Sequence, residues 1–328
     1  MAVLVTGGAG YIGSVAVEKL LERGETVVVV DNLSRGHRAA VQEGSIFFQA
    51  DVGNREVMSE IIRSNQIDAC LHFAAYAYVG ESVSEPTLYY QNNVVQGLNL
   101  FDCLIEHGVE QIIFSSSCAT YGEPIEMPMS ETHPQYPVNP YGMTKLFNEK
   151  SLFKRSERNE LRFVALRYFN AAGATEIHGE HHDPETHLIP LILAAAEDES
   201  QNVYIFGDDY PTSDGTAVRD YIHVEDLAQA HLLALDYLRA GGESDVFNLG
   251  TGSGFSVREM ISSVEKVTGK RVNSIVQGRR QGDPSHLVAD ASKAERVLGW
   301  KPVRSDPDTL VRSAWLWKQR NPKGYPEV

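Results

Sequence analysis

The chain has 328 residues, of which 29 are Lys or Arg and 44 are Asp or Glu, so its formal net charge is −15. This charge disfavours nucleic acid and anionic membranes as partners, because binding to either depends on Lys and Arg that neutralise phosphates. Apolar residues make up 42% of the chain, which excludes a disordered chain and allows a sizeable core. The length fits two domains or one large α/β unit.

The three cysteines, Cys70, Cys103 and Cys118, are an odd number at no metal-ligand spacing. We therefore expect buried thiols in a reducing compartment. The first residues lack the basic region and cleavage site of a secretory signal, and no apolar run reaches the ~18 residues of a membrane helix. These features predict a cytoplasmic protein that does not associate with membranes.

Short β-branched apolar runs alternate with amphipathic segments along the first half of the chain. This alternation predicts repeated βαβ units around a parallel sheet. We expect strands at residues 2–6, 26–31, 46–50, 69–73, 111–115 and 162–167. We expect helices after the glycines that follow the first strand, after an Asn54 N-cap, and at residues 86–107 and 141–158.

The composition changes beyond Tyr168, where residues 171–186 are rich in Gly, His and acidic side chains. Residues 224–238 again favour an amphipathic helix, and residues 245–249 favour a strand that rejoins the first sheet. The fold class is therefore predicted to be α/β, with a doubly wound parallel (Rossmann) sheet and a smaller, interleaved C-terminal domain. We expect residues 1–169 and about 224–249 in the first domain, and about 170–223 and 250–328 in the second. The second should include a helix begun by a Ser256–Glu259 capping box and ended by Gly269, and a short helix at residues 290–298.

A glycine-rich turn directly follows the first predicted strand, with Gly7, Gly10 and Gly13 before an amphipathic helix. At such a turn, backbone amides approach a pyrophosphate and the helix N-terminus adds partial positive charge. Asp31 lies at the end of the second strand, where a carboxylate accepts hydrogen bonds from an adenosine ribose and repels a 2′-phosphate. NAD is therefore predicted over NADP, although Arg35 and Arg38 lie nearby in the sequence.

A second motif places Tyr141 and Lys145 four residues apart at the start of a predicted helix, hence on one face. A nearby cation favours the phenolate, so the pair is a candidate acid–base catalyst, with Lys145 and the nicotinamide charge lowering the pKa of Tyr141. Residues 115–117 form a serine run at the end of the fifth strand, at the edge of the sheet where ligands bind in doubly wound folds. A hydroxyl there can share a proton with Tyr141.

With these motifs in place, almost the whole chain resembles the extended short-chain dehydrogenase/reductase superfamily, and within it the UDP-glucose 4-epimerase family. The motifs that carry the resemblance are residues 6–13, 30–33, 51–52, 72–75, 115–117, 121–122, 140–145, 166–170, 206–212, 214–216, 218–224, 279–283 and 289–290. The resemblance implies inversion at C4 of UDP-galactose and UDP-glucose through a transient 4-keto sugar and tightly bound NAD.

The resemblance also implies roles for individual residues. Tyr141 would be the acid–base group, with Ser117 and Lys145 assisting. The residues expected at NAD are Gly7, Gly10, Tyr11, Ile12, Gly13, Asp31, Asn32, Asp51, Val52, Phe73, Ala74, Ala75, Asn92, Ser115, Tyr141, Lys145 and Phe169. Those expected at the UDP-sugar are Ser117, Asn170, Leu188, Tyr204, Ile205, Phe206, Arg219, Arg280, Asp283 and Leu287. Leu287 would wall the sugar pocket. Tyr78 departs from the pattern, since many members carry a lysine there.

The resemblance further suggests a homodimer in which the helices at 86–107 and 141–158 pair with their copies as a four-helix bundle. Val94, Val95, Leu98 and Phe101 would supply the apolar surface.

Three other functions stay open at this point. A 4-epimerase of UDP-pentoses or UDP-hexuronates would share every motif. A nucleotide-sugar 4,6-dehydratase would carry an Asp–Glu pair where this chain has Cys118 and Ala119. A non-catalytic NAD-binding regulator would have no need of Tyr141 and Lys145.

Histidines at 178, 181, 182 and 187 lie near Asp183 and Glu185 without the i, i+4 spacing of a helical metal site. We therefore expect a solvated loop there and no metal. Trp315 and Trp317 are expected to pack the second domain.

Overall fold

The computed structural model describes residues 1–280 and 283–326. Within them, strands and helices alternate over the first half of the chain, as the apolar periodicity predicts. The strands are β1 Ala2–Thr6, β2 Val27–Asp31, β3 Ile46–Gln49, β4 Ile67–His72, β5 Gln111–Ser117, β6 Arg162–Tyr168, β7 Asn170–Ala172, β8 Val203–Phe206, β9 Val218–Arg219, β10 Tyr221–His223, β11 Asp245–Leu249, β12 Phe255–Ser256, β13 Ser274–Gln277 and β14 His286–Leu287. The helices are α1 Tyr11–Glu22, α2 Arg55–Ser64, α3 Val79–Ser84, α4 Pro86–Tyr89, α5 Gln96–Glu106, α6 Pro140–Glu157, α7 Leu188–Glu197, α8 Val224–Arg239, α9 Val257–Thr268, α10 Ser292–Leu298 and α11 Pro307–Arg320.

The central sheet of the described chain is parallel throughout, with the strand order β11-β6-β5-β4-β1-β2-β3. The order reverses between β1 and β4, so the turns after these two strands diverge and leave a crevice at the carboxyl edge of the sheet. One core lies on each face of the sheet. The first includes α1 and α8, and the second includes α2 and α5. The predicted doubly wound α/β fold is confirmed.

A third core lies outside this sheet and is built by α7, α9, α11 and β8. After β10 the chain returns from the region of the third core to the large sheet. There α8 packs on α1, and β11 pairs with β6. We propose domain boundaries at about residues 169, 223 and 249, where the chain passes between the large sheet and the third core. Trp315 packs in the third core, whereas Trp317 packs with Tyr325 in a separate small cluster.

Local signals in the sequence set several element ends. The Asn54 side chain caps α2 by accepting from the Val57 amide at 3.2 Å. Ser256 and Glu259 form the predicted reciprocal capping box of α9, and Gly269 ends that helix with φ +69°. No helix within the described ranges is both long and apolar enough to cross a lipid bilayer.

The helix predicted at residues 86–107 is divided rather than continuous. Tyr90–Val95 forms a π-helical segment between α4 and α5. Asn93 in this segment binds Tyr76 through both main-chain groups, accepting from its amide at 2.8 Å and donating to its carbonyl at 2.9 Å. Asn93 of the π-helical segment therefore anchors the loop after β4. The regular α-helical periodicity of the sequence does not predict this segment.

Candidate active site

A cleft of about 890 Å³ opens at the carboxyl edge of the sheet, where the strand order reverses. Most of the residues predicted for the cofactor and the catalyst line it. They are Gly7, Gly10, Tyr11, Ile12, Gly13, Asp31, Asn32, Val52, Phe73, Ala74, Ala75, Asn92, Ser115, Ser117, Tyr141, Lys145 and Phe169. Asp51 is set back from the lining, where its carboxylate accepts from the Gly53 amide at 2.8 Å and from the Gln96 amide side chain at 3.2 Å.

The glycines of the first turn are required by close backbone packing. A Cβ at Gly7, where φ is +74°, would lie 2.6 Å from the amide nitrogen of Ala74. A Cβ at Gly13 would lie 2.2 Å from the carbonyl oxygen of Gly7. The turn therefore lies directly against the chain after β4, and its backbone amides can be approached by a pyrophosphate without an intervening side chain.

Asp31 ends β2 with its carboxylate buried at the cleft. Its two oxygens accept hydrogen bonds from the amides of Ala9, at 3.0 Å, and Leu33, at 2.9 Å. Burial raises the pKa of Asp31, and the two amide hydrogen bonds oppose that shift. Each oxygen keeps a lone pair for a ribose hydroxyl, so the site fits an unphosphorylated ribose.

The start of α6 brings Tyr141 to the end of β5. The Asn139 side chain caps the helix by accepting from the Gly142 amide at 2.8 Å, and Pro140 occupies the first turn. A Cβ at Gly142 would lie 2.3 Å from the carbonyl oxygen of Ala119, so only glycine allows this contact. The segment that follows Ser117 therefore lies against the first turn of α6.

Lys145 lies one turn further along α6, fully buried. Its ammonium donates to the Ser115 carbonyl at 2.7 Å and lies 5.8 Å from the ring centroid of Tyr141. Burial lowers the pKa of Lys145 to about 7, although Glu149 acts in the opposite direction. The Ser115 hydroxyl is itself hydrogen-bonded to the phenol of Tyr168.

Burial disfavours the phenolate form of Tyr141 in the protein without its cofactor. Burial raises its pKa well above the ordinary value, Tyr168 adds to the rise, and the Ser117 hydroxyl acts in the opposite direction. The predicted lowering of this pKa by Lys145 together with the nicotinamide charge concerns the cofactor-bound protein and stays a prediction. A further positive charge in the cleft is needed to favour the phenolate.

The residues predicted to bind the sugar nucleotide divide into two groups. Asn170, Arg280, Asp283 and Leu287 line the cleft, and Arg219 forms an ion pair with Asp283 behind it. Arg219 and Leu287 are paired in register on β9 and β14. Leu287 packs beside Cys118 and Phe169, near the catalytic end of the cleft. Gln281 and Gly282 of the Arg280–Asp283 motif lie outside the described residues.

The second group does not line the cleft in the described part of the chain. Leu188 packs against the third core, Ile205 is buried in it, and Tyr204 is exposed on β8. Phe206 contacts the cleft-lining Arg280, whose guanidinium carbon lies 3.8 Å from the Phe206 ring centroid. The roles of these four residues in substrate binding stay predictions.

Two parts of the cleft wall were missed by sequence reasoning. Arg35 lines the cleft, binds Glu81 at 2.5 Å and lies over the rings of Tyr76 and Tyr78. The loop predicted to be solvated also lines the cleft, with Glu180, His181, His182 and His187. His178 is buried and bonds to the Gln42 side chain at 2.9 Å. The spacing of residues in the sequence does not predict either arrangement, because both depend on packing between distant segments.

The predicted burial of the cysteines is confirmed for Cys70 and Cys103, whereas Cys118 is half-buried. Cys118 lies at the cleft, where burial of its thiol raises the pKa to about 12. A thiol in this state does not serve as a base or nucleophile near neutral pH.

Comparison with known proteins identifies the family. Residues 3–250 match the model of the NAD dependent epimerase/dehydratase family. The chain belongs to this family. A UDP-glucose 4-epimerase of Streptococcus mutans is 51% identical over 330 residues, which cover 99% of each chain.

Solved structures agree with this family assignment. The UDP-glucose 4-epimerase from Brucella ovis in complex with NAD is 47% identical, with a TM-score of 0.93 over 96% of this chain and 97% of that chain. The UDP-glucose 4-epimerase from Bifidobacterium longum in complex with NAD⁺ and UDP is 39% identical, with a TM-score of 0.92 over 99% and 100%. The predicted family resemblance is confirmed, and so is NAD as the cofactor of the family.

Proposed function

We propose that the chain interconverts UDP-galactose and UDP-glucose by inverting C4 of the hexose. The observation that carries the proposal is the convergence of Tyr141, Ser117 and Lys145 at one end of a cleft that begins at the glycine-rich turn. Full-length relatives that are UDP-glucose 4-epimerases support it.

The cleft fits NAD along its length. The backbone of Gly7 to Gly13 would hold the pyrophosphate, and Asp31 would accept from the adenosine ribose. Asn92, Lys145 and Phe169 would surround the nicotinamide ribose and ring. NAD held there would supply reversible hydride transfer at C4 of the sugar and a positive charge near Tyr141.

The chain's own part in the reaction is to move one proton and position the sugar. The Tyr141 oxygen accepts the proton of the sugar's 4-hydroxyl, with Ser117 as a hydrogen-bonding partner, and returns it once the other face of the sugar is presented. Protons therefore balance over one cycle. Lys145 favours the phenolate by its charge, and its bond to the Ser115 carbonyl holds it in place.

The nucleotide must be held firmly while the sugar turns over. Arg219 and Arg280 are the proposed cations for the diphosphate, because a chain of net charge −15 needs local cations to bind an anion. Asp283, which pairs with Arg219, orients that guanidinium between substrate cycles. The wall at Leu287 is apolar, and it leaves the hexose without a fixed hydrogen-bond partner on that side.

A nucleotide-sugar 4,6-dehydratase is a poorer fit. That reaction needs an additional acid and base where Cys118 and Ala119 stand, and neither side chain exchanges protons near neutral pH. A UDP-pentose or UDP-hexuronate 4-epimerase would use the same catalytic groups, so direct comparison of substrates must distinguish it. A non-catalytic regulator would not need the buried lysine beside Tyr141.

The test is turnover without added cofactor. Purified protein should carry bound NAD and convert UDP-galactose to an equilibrium mixture with UDP-glucose, followed by chromatography. UDP-xylose and UDP-glucuronate, tested alongside, should react with lower kcat/KM. Formation of a 4-keto-6-deoxy sugar would indicate a dehydratase, and stoichiometric consumption of added NAD by cofactor-free protein would indicate a dehydrogenase. Binding of NAD with no turnover of any sugar would favour the regulator.

We also propose a cytoplasmic homodimer in which the helical segments at residues 86–107 and 141–158 pair with their copies. Of the apolar residues expected there, Val94 and Phe101 are buried within the subunit, whereas Val95 is 46% exposed. Leu88, at 40%, and Phe147, at 52%, are further exposed apolar side chains in these two segments. A second copy would cover this surface. Light scattering should give twice the chain mass of 36.3 kDa at micromolar concentration, and a monomer mass would contradict the proposal.

A further inference from the structure

Four side chains between β7 and α7 converge at the cleft wall, away from the proton-transfer groups: Glu180, His182, Glu185 and His187. One ring nitrogen or carboxylate oxygen from each lies within 4.8 Å of all the others. His187 Nδ1 is 2.9 Å from Glu180 Oε1 and 2.9 Å from Glu185 Oε1. His182 Nδ1 is 3.3 Å from Glu180 Oε1 and 3.7 Å from Glu185 Oε2. We refer to these four residues as the Glu–His cluster.

The Glu–His cluster has a simple origin in the sequence. Glu-x-His occurs twice, at 180–182 and at 185–187, on either side of a bend at residues 183 and 184. In extended backbone, residues i and i+2 project to the same side, so each arm presents one carboxylate and one imidazole. The intervening His181 turns away and stacks on His37, with ring centroids 4.5 Å apart.

The two carboxylates of the cluster need compensating positive charge, either from protonated histidines or from a bound cation. In the described part of the chain, neither Glu180 nor Glu185 forms an ion pair with a lysine or arginine, and their side chains are only 8% and 22% exposed. With both imidazoles neutral, the cluster would carry two uncompensated negative charges away from water. The Nδ1 atom of His182 is shielded from solvent and makes no well-directed hydrogen bond to the described residues.

We propose that Glu180, His182, Glu185 and His187 bind one Zn²⁺ ion. Zinc takes imidazole nitrogen and carboxylate oxygen at about 2.0–2.2 Å in a tetrahedron, which requires ligand atoms about 3.3 Å apart. The separations in the cluster, from 2.9 Å to within 4.8 Å, bracket that value. Mg²⁺ and Ca²⁺ would require six or more oxygen ligands, which this donor set does not offer.

Four protein ligands leave no open position on the ion, which makes the site structural. The His182 ring packs edge-on against Tyr11, at 6.3 Å between centroids, and against Tyr78, at 5.7 Å. Tyr11 is the first residue of α1, directly after the glycine-rich turn, and its hydroxyl donates to the Gly173 carbonyl at 2.5 Å. The zinc ion therefore ties the segment after β7 to the wall of the dinucleotide cleft and stabilises the folded chain.

The alternative state of the cluster is metal-free. There the two histidines are protonated and pair with the carboxylates. Although burial lowers them, interactions with Glu180 and Glu185 raise the pKa of His182 to about 9 and of His187 to about 10. In the zinc-bound state the ion replaces these protons. A direct measurement of zinc binding distinguishes the two states.

The experiment uses the full untagged chain, treated with a chelator and dialysed. Zn²⁺ is titrated in competition with a chromophoric chelator, and Co²⁺ is titrated separately to record its visible absorption. Glu185→Gln and His187→Gln each remove one ligand. Glu176→Gln is the matched control, because Glu176 lies exposed in the same segment and its substitution makes the same change of charge as Glu185→Gln.

We expect wild type and Glu176→Gln to bind one Zn²⁺ per chain, with a higher Tm in zinc and the intense Co²⁺ bands of a tetrahedral site. Glu185→Gln and His187→Gln should fold, by circular dichroism, and bind Zn²⁺ at least ~10- to 100-fold more weakly. Equal zinc affinity in all four proteins would show an adventitious ion only and overturn the proposal. Wild type that binds no zinc at micromolar concentration, or Co²⁺ bands of weak octahedral type, would also overturn it.

Discussion

The ammonium of Lys145 donates a hydrogen bond to the backbone carbonyl of Ser115 and thereby joins helix α6 to the carboxyl end of strand β5. Glu149, one turn further along the helix, is held by the Arg167 guanidinium at 2.9 Å and 2.6 Å. Lys145 is therefore near a carboxylate that is already neutralised by another cation. This arrangement explains why burial dominates its pKa.

The buried lysine predicts a pH-dependent stability difference in cofactor-free protein. Folding lowers the pKa of Lys145 from an unfolded value of ~10.4 to about 7. Between these values the unfolded chain binds a proton that the folded chain does not, so this group's contribution to stability rises with pH. Below pH 7 the full burial penalty applies. Lys145→Met should therefore raise the Tm most at or below about pH 7, and the gain should shrink as the pH approaches ~10.

The measurement is the Tm of wild type and Lys145→Met across that pH range. Lys150→Met is the control, since Lys150 is exposed on the same helix. If the Tm difference between Lys145→Met and wild type does not vary with pH, folding does not lower the pKa of Lys145, and the prediction is wrong.

Tyr141→Phe should abolish turnover while leaving UDP-sugar affinity nearly intact, because it removes the proton acceptor and keeps the ring. The expected loss in kcat is at least the ~10²- to 10⁴-fold typical of a general acid–base group. Tyr136→Phe, at a tyrosine that is 72% exposed, provides the control and should keep its activity. Near-normal rates in Tyr141→Phe would remove this residue from the mechanism.

Arg219→Ala should have the opposite effect, since it should weaken UDP-sugar binding more than it lowers kcat. Loss of a charge-assisted hydrogen bond of roughly 1.5–3 kcal/mol corresponds to a ~10- to 150-fold rise in the Kd for UDP. Calorimetric titration with UDP measures it, with the exposed Arg271→Ala as control. Equal Kd values in the two variants would place the diphosphate elsewhere.

Gly7→Ala should prevent NAD from copurifying. The added Cβ would lie 2.6 Å from the Ala74 amide nitrogen, so the turn must move. Gly24→Ala separates this clash from backbone strain, because Gly24 has a similar φ of +79° and nothing within 4 Å of its Cβ position. The control should lose roughly 1–2 kcal/mol of stability and keep its NAD. Both are checked by bound NAD per chain, and full NAD content in Gly7→Ala would refute the assignment of the turn.

Leu287 should favour UDP-glucose and UDP-galactose over their N-acetylated counterparts. The side chain lines the cleft beside Phe169 and Cys118, where it would fill the space of an acetamido group and leave its polar atoms unpaired. The penalty is roughly 1–3 kcal/mol. Comparison of kcat/KM for UDP-galactose and UDP-N-acetylgalactosamine should show a bias that Leu287→Gly relieves and Leu287→Met keeps. Equal values in wild type would refute the wall assignment.

Features that depend on short spacings follow from the amino-acid sequence alone. Strand and helix periodicity predicted the doubly wound fold, the Ser256–Glu259 pair predicted a capping box, and the glycine-rich turn with Asp31 predicted NAD. In each case the interacting residues are near in the chain or follow from strand order, so local geometry suffices.

The electrostatic state and the surroundings of the site depend instead on tertiary packing. The pKa values of Tyr141 and Lys145 depend on water excluded by distant segments, which spacing does not report. Val94 and Phe101 are buried, and a π-helical segment at Tyr90–Val95 interrupts the helix that the periodicity predicts there. The Glu–His cluster forms because a bend brings two short arms together and buries them against Tyr11 and Tyr78. Burial is a property of the whole packed chain, and these features are consequences of it.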